Sequence, residues 1–216
     1  GKRPGILVVH EWWGINDYAH KRARMLAELG YTALAVDMYG EGKQATHPED
    51  ASKFAGEVMQ HMDVAKARFQ AALNLLKSQE TVETTKIGAI GYCFGGGVVL
   101  QMARLGTDLD GVVSFHGSIA TNNPAQPGVV KAKILVCNGG DDSFTTPEQI
   151  AAFKKEMDDA GVDYQFITYS GAKHSFTNPQ ADTLGAKFNM PIAYNKSADE
   201  NSWNDMKQFF KEVFGQ

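Results

Sequence analysis

Apolar residues in this chain recur in two alternating patterns. Short, mostly apolar runs at Gly5–Val9, Tyr31–Val36, Lys86–Ile90, Gly111–Phe115 and Ala132–Cys137 read as strands, and their near-continuous apolar character predicts burial on both faces; Asp163–Tyr169 reads as a further strand. Between them the spacing becomes helical. Tyr18–Leu29 follows an Asn16-Asp17 cap and stops at Gly30, and 48–78 carries Val64, Ala67, Ala71 and Leu75 on one face, with a candidate break at His61-Met62-Asp63. A third helix runs from the residues after Cys93 to Leu105. A fourth is capped by Thr146-Pro147-Glu148-Gln149 and ends near Ala160. The last, Ala198–Phe214, turns Trp203, Met206, Phe209, Phe210 and Val213 inward, and the stretch between Phe176 and Ala198 reads as irregular. Strands alternating with helices predict one α/β domain over residues 1–216, with a mostly parallel central sheet and helices on both faces.

Composition narrows the function classes. The 216 residues are 43% hydrophobic and 21% charged with a net charge of −4, which offers no basic footprint for nucleic acid or an anionic membrane surface. The apolar runs are far too short to span a bilayer, and no secretory signal is present in the sequence as given. Two cysteines, Cys93 and Cys137, do not make a disulfide framework and are expected as free thiols. A cytoplasmic location is expected, or a periplasmic one if a signal segment precedes Gly1.

The chemistry collects where strands end. Gly91-Tyr92-Cys93-Phe94-Gly95 joins an apolar strand to a helix, the G-x-nucleophile-x-G spacing of a nucleophile elbow with cysteine in the serine place. A sharp strand-to-helix turn needs small residues two before and two after the nucleophile, and the helix N-terminus favours thiolate. In parallel sheets, sites lie beyond the carboxyl ends of the strands. Those ends carry His10-Glu11-Trp12, Asp37, Cys93, His116, Asp142 and His174. The order Cys93, Asp142, His174 is the triad order of the α/β-hydrolase fold. Cys93 is then the nucleophile, His174 the proton carrier, and Asp142 the group that holds the imidazole. Asp141 competes for the last role, and the Gly139-x-x-Asp142 spacing favours Asp142. The oxyanion hole is expected from the backbone N–H groups of Phe94 and Trp12. Trp13, Tyr39, His116, Phe176 and Asn178 are candidates for a substrate pocket, with a structural hydrogen-bonding role the alternative for His116. His20, His47 and His61 have no partner at metal spacing, so neither metal nor cofactor is expected.

The sequence resembles the dienelactone hydrolase family along nearly its whole length. His10-Glu11-Trp12-Trp13-Gly14 is similar to that family's first-strand motif, Gly91–Gly96 to its cysteine elbow, and Asp142 and His174-Ser175-Phe176 to its remaining triad segments. The resemblance implies hydrolysis of a small-molecule ester or lactone through a Cys93 acyl-enzyme. It also implies that Glu11 contacts the resting nucleophile and helps generate thiolate; from the residues alone, Glu11 reads as a strand-end carboxylate near the site, with a structural ion pair to Arg22 or Lys21 the alternative. In dienelactone-specific members an arginine four residues after the catalytic histidine binds the substrate carboxylate. Here that position is Asn178, and no arginine lies between Tyr39 and Lys66. The rival readings are a thiol redox enzyme and a non-catalytic binding protein on the same fold.

Overall fold

A computed structural model describes residues 1–215. Six parallel strands form one sheet in the order β2-β1-β3-β4-β5-β6: β1 (Arg3–Val9), β2 (Thr32–Val36), β3 (Val82–Tyr92), β4 (Gly111–Phe115), β5 (Lys133–Gly139) and β6 (Tyr164–Tyr169). The helices are α1 (Asp17–Glu28), α2 (Pro48–Gln60), α3 (Met62–Lys77), α4 (Phe94–Arg104), α5 (Pro147–Ala160), α6 (Ala181–Phe188) and α7 (Lys196–Phe214).

The apolar runs are continuous because successive side chains enter two separate cores. Leu7, Val9, Ile87, Ala89, Val112, Ile134 and Val136 face α3, α4 and α5, packing with Phe69, Leu73, Val99, Leu100 and Phe153. Ile6, Val8, Ile90, Tyr92, Val113, Phe115, Leu135 and Cys137 face the other way, against Leu26 of α1 and Met206, Phe209 and Phe210 of α7. This is the two-sided burial that a parallel sheet requires. Strand order reverses between β1 and β3, so β1 connects outward to β2 while the chain then returns across it. Crevices open at such reversal points, beyond the carboxyl ends of the strands. The ends of β1 and β3 carry His10-Glu11-Trp12 and Cys93.

The expected elements are present, and the candidate break at His61 is real: α2 ends there and α3 begins at Met62. Three features differ from expectation. β2, expected to be buried on both faces, is an edge strand in which only Val36 is fully buried. β3 starts at Val82, not Lys86, because Val82 and Glu83 pair with Arg3 and Pro4 before a register shift absorbs the next three residues. Its polar Glu83-Thr84-Thr85 hides that extension from hydropathy. The stretch read as irregular before Ala198 contains α6, eight residues long, with Gly185 in its middle and no side-chain cap at its start. Gly185 is required there, since a Cβ would lie 2.8 Å from the Ile192 carbonyl oxygen.

Candidate active site

The elbow is steric at every position. Cys93 adopts φ 53° and ψ −117°, a strained conformation for a residue with a side chain. A Cβ on Gly91 would lie 2.0 Å from the Gly95 carbonyl oxygen, and one on Gly95 would lie 2.3 Å from that of Val9. Only glycine at both places lets the turn close against β1. The Cys93 N–H is held by the Phe115 carbonyl (3.0 Å), and its thiol projects above the sheet at the start of α4.

The other two groups arrive from β5 and β6. Asp142 follows β5 and is fixed by its own backbone, its Oδ1 accepting the Phe144 N–H at 2.9 Å. Its Oδ2 lies 2.8 Å from His174 Nδ1, and His174 Nε2 lies 3.1 Å from Cys93 Sγ. Cys93, His174 and Asp142 thus form one continuous hydrogen-bonded line, a Cys-His-Asp triad. Burial alone would lower the His174 pKa, but the Cys93 sulfur and the Asp142 carboxylate outweigh it and raise it to about 10. His174 therefore favours its imidazolium form. Asp141 points to solvent and makes no such contact, its N–H serving only the Ala172 carbonyl.

Around the triad the strain continues. His116 (φ 40°) and Ser175 (φ 60°) join Cys93 among the few non-glycine residues with positive φ. Such outliers persist where surrounding contacts over-determine them. His116 is buried, its Nε2 2.7 Å from the Thr177 hydroxyl oxygen, which is itself 2.6 Å from that of Tyr18. Burial pushes the His116 pKa down, with the His174 and Arg22 charges adding to it. Glu11 is 2% exposed; its Oε2 accepts the Asn178 side-chain N–H at 2.7 Å, and its Oε1 has no partner. Burial raises the Glu11 pKa, opposed by the Asn178 bond and by the charges of His174 and Arg22. Arg22 does not pair with Glu11: its guanidinium bonds Asp199 and the Thr177 carbonyl, while Lys21 is exposed.

A cavity of about 260 Å³ opens over the thiol, lined by Trp12, Ala55, Cys93, Phe94, Ser118, Phe144, His174, Ser175, Met190 and Ile192. No charged side chain other than the triad's own lines it. Trp13, Tyr39, His116, Phe176 and Asn178, expected from sequence to line a pocket, are not in this wall. Trp13 packs with Ala45, Ala51 and Phe188. Tyr39 lies on Phe54 and donates its hydroxyl to the Trp12 carbonyl (2.8 Å). Phe176 is wholly buried under His116, and Asn178 is turned toward Glu11. Each is apolar or polar enough to suit a pocket, but tertiary packing places it one layer behind. The residues missed were Ala55, Ser118, Phe144, Ser175, Met190 and Ile192. Phe144 is 56% exposed with its ring 5.0 Å from that of His174, and an aromatic two residues after the triad acid in sequence is the signal that could have found it. Met190 and Ile192 lie past α6, the element that was not foreseen.

Known proteins share this fold. The fold superposes on the crystal structure of a dienelactone hydrolase-like promiscuous phosphotriesterase from metagenomic libraries, with a TM-score of 0.88 and 36% identity over 99% of this chain and 87% of that one. It superposes on the structure called m3DLH with a TM-score of 0.92 and 38% identity, covering 99% and 88% of the two chains. An uncharacterized Caenorhabditis elegans protein is 33% identical over 151 residues, which is 69% of this chain and 94% of that one. Residues 1–214 match the family model described as "Dienelactone hydrolase family". With the cysteine elbow, the triad and this match in place, the chain belongs to the dienelactone hydrolase family and carries its esterase and lactonase chemistry on Cys93, His174 and Asp142.

Proposed function

We propose that the substrates are uncharged carboxylic esters or lactones with an apolar acyl or alkyl group. The observation that carries this is the cavity wall: Trp12, Ala55, Phe94, Phe144, Met190 and Ile192 surround a triad whose site has no cationic clamp. A substrate carboxylate would enter that wall with nothing to compensate its desolvation, at a cost of several kcal/mol. Asn178, the position of the carboxylate-binding arginine in dienelactone-specific members, is committed to Glu11 and buried.

The steps follow from the geometry. The Cys93 thiolate attacks the substrate carbonyl carbon, and charge develops on the carbonyl oxygen. The N–H groups of Trp12 and Phe94, neither of which bonds an acceptor among the described residues, receive that oxyanion. As the tetrahedral intermediate collapses, the C–O bond breaks and His174 gives its proton to the leaving alkoxide. His174 then takes a proton from water, the hydroxide attacks the thioester, and the Cys93–acyl bond breaks to return thiolate and free acid. Asp142 holds the imidazole through both halves. Glu11 lies close enough to His174 for the imidazolium charge to favour its carboxylate form, against the opposing effect of burial. The redox alternative lacks a partner thiol: Cys137 is fully buried on the far core with the Tyr169 hydroxyl 3.6 Å from its sulfur.

The test compares p-nitrophenyl butyrate with the p-nitrophenyl monoester of succinate, alongside mass spectrometry of the quenched enzyme. The expected result is a Cys93 acyl adduct and at least about a tenfold preference in kcat/KM for the neutral ester, equivalent to about 1.4 kcal/mol. Equal turnover of the succinate ester would overturn the substrate assignment, and acylation persisting in Cys93→Ala would overturn the nucleophile.

A further inference from the structure

His10 ends β1 one residue before Glu11 and is 1% exposed, yet it touches none of the triad. Its ring is clamped edge-on by Tyr39 (4.7 Å between centroids) and stacked against Phe94 (5.7 Å). The Met38 N–H donates to Nε2 at 3.2 Å, so Nε2 must present its lone pair and the ring proton sits on Nδ1. That Nδ1–H donates to the Glu11 carbonyl oxygen at 2.5 Å. Burial holds the His10 pKa down at about 4, against the raising pull of the Glu11 carbonyl and Asp37, so the ring stays neutral and the tautomer fixed.

The acceptor gives this bond its consequence. The Glu11 carbonyl and the Trp12 N–H belong to one planar trans peptide, so they point in opposite directions and fixing one aims the other. We propose that His10 is the positioning residue of the oxyanion hole: by holding the Glu11 carbonyl it aims the Trp12 N–H at the developing oxyanion and polarises it. A second, longer bond from the Gly14 N–H (3.2 Å) reaches the same carbonyl, and the Tyr39 hydroxyl pins the next one along. His10 supplies the shorter of the two bonds on the Glu11 carbonyl. The proposal rests on Trp12 and Phe94 being the oxyanion donors of an ester hydrolase.

Three variants separate aiming from packing. In His10→Asn an amide N–H can take the place of Nδ1–H toward Glu11. In His10→Gln the longer side chain carries its oxygen toward the Met38 N–H instead, and His10→Ala keeps neither bond. Removing an oxyanion donor outright lowers kcat by about 100- to 1,000-fold, so a misaimed donor should cost roughly 10- to 100-fold in His10→Ala and His10→Gln. KM should change little, and His10→Asn should stay within about fivefold of wild type. Alkylation of Cys93 by iodoacetamide uses the thiolate but no oxyanion hole, and it should stay at the wild-type rate in all three. Loss in His10→Asn equal to that in His10→Ala, or losses that track slower alkylation, would overturn the proposal. A measurement on wild type needs no variant to fold: the His10 Nδ1–H resonance should move downfield when butyraldehyde forms a hemithioacetal on Cys93, because hydrogen bonds in series strengthen one another. An unmoved resonance, or a proton found on Nε2, overturns it. Wild type that hydrolyses no ester removes the ester reading and this proposal with it, whereas active wild type with indifferent His10 variants removes this proposal alone.

Discussion

Gly95→Ala tests whether the elbow's spacing controls chemistry or only folding. The new Cβ would lie 2.3 Å from the Val9 carbonyl oxygen and 2.6 Å from that of His10, both backbone atoms of β1 or its end that no rotamer change can move. Ordinary contact begins near 3.4 Å, so α4 and β1 must separate by about 3.4 − 2.3 ≈ 1.1 Å. That separation pulls Cys93 and Phe94, at the start of α4, away from Trp12, on the β1 loop. A displacement of about 1 Å in a reacting constellation costs on the order of 100-fold in rate, and overpacking of this kind costs about 1–3 kcal/mol of stability. Gly97→Ala supplies the control on the same helix. Its Cβ would meet the Ser118 carbonyl oxygen at 3.4 Å, which is ordinary contact, and alanine in a helix interior is favoured over glycine by about 1 kcal/mol. The assay is kcat for p-nitrophenyl butyrate together with thermal unfolding of both variants. Gly95→Ala should lose activity far beyond its loss of Tm, and Gly97→Ala should keep activity with equal or higher Tm. If Gly95→Ala is folded and retains wild-type kcat, the argument that this close approach sets the thiol–oxyanion distance is wrong.

The remaining predictions concern charge and the cavity. His174 has its pKa raised from 6.5 to about 10, so its stabilising contribution is full below 6.5 and is lost as pH rises toward 10. The wild-type Tm should therefore fall toward that of Cys93→Ala across this window, and a gap that widens with pH would contradict it. Glu11 has its pKa raised, so folding favours its protonated form and stability declines as pH climbs above about 4.5. Glu11→Gln should unfold at or above the wild-type temperature at pH 8, with the gap closing toward pH 4, while kcat drops; a lower Tm at pH 8 would refute the charge assignment. Glu156 accepts two bonds from the buried Arg104 at 2.7 and 2.9 Å, so Glu156→Ala should cost about 3–5 kcal/mol in urea unfolding by stranding the guanidinium. Ile192→Arg places a cation in the cavity wall and should shift relative kcat/KM toward the succinate monoester, with no shift counting against the proposed substrate class.

The triad was legible because each member follows a strand, and strands announce themselves as apolar runs. Cys93, Asp142 and His174 could be aligned on one edge of a sheet without knowing a single distance. The cavity wall was not legible for a related reason. Trp13, Tyr39, Phe176 and Asn178 sit beside motif residues or strand ends in the chain, but proximity in sequence does not decide which side chain faces the substrate. Strand alternation and the turns after each strand instead send them behind the wall, while Met190 and Ile192 come in from a segment with no motif. Glu11 shows the same limit at one residue. Its place at the β1 end could be read, but its partner depends on Asn178 arriving from more than 160 positions away, which no local pattern encodes.

The guanidinium of Arg22 ties α1, the Thr177 segment after His174 and Asp199 of α7 into one knot beneath the active site. α7 is the last described element to leave the ribosome, so this knot cannot close until α7 has emerged. Until Asp199 arrives, Arg22 lacks its carboxylate, and the segment that follows His174 lacks part of its anchor. A nascent chain therefore holds its cysteine without a fully braced histidine. The order of synthesis delays the reactive thiol until the helix that shields this face of the sheet is in hand.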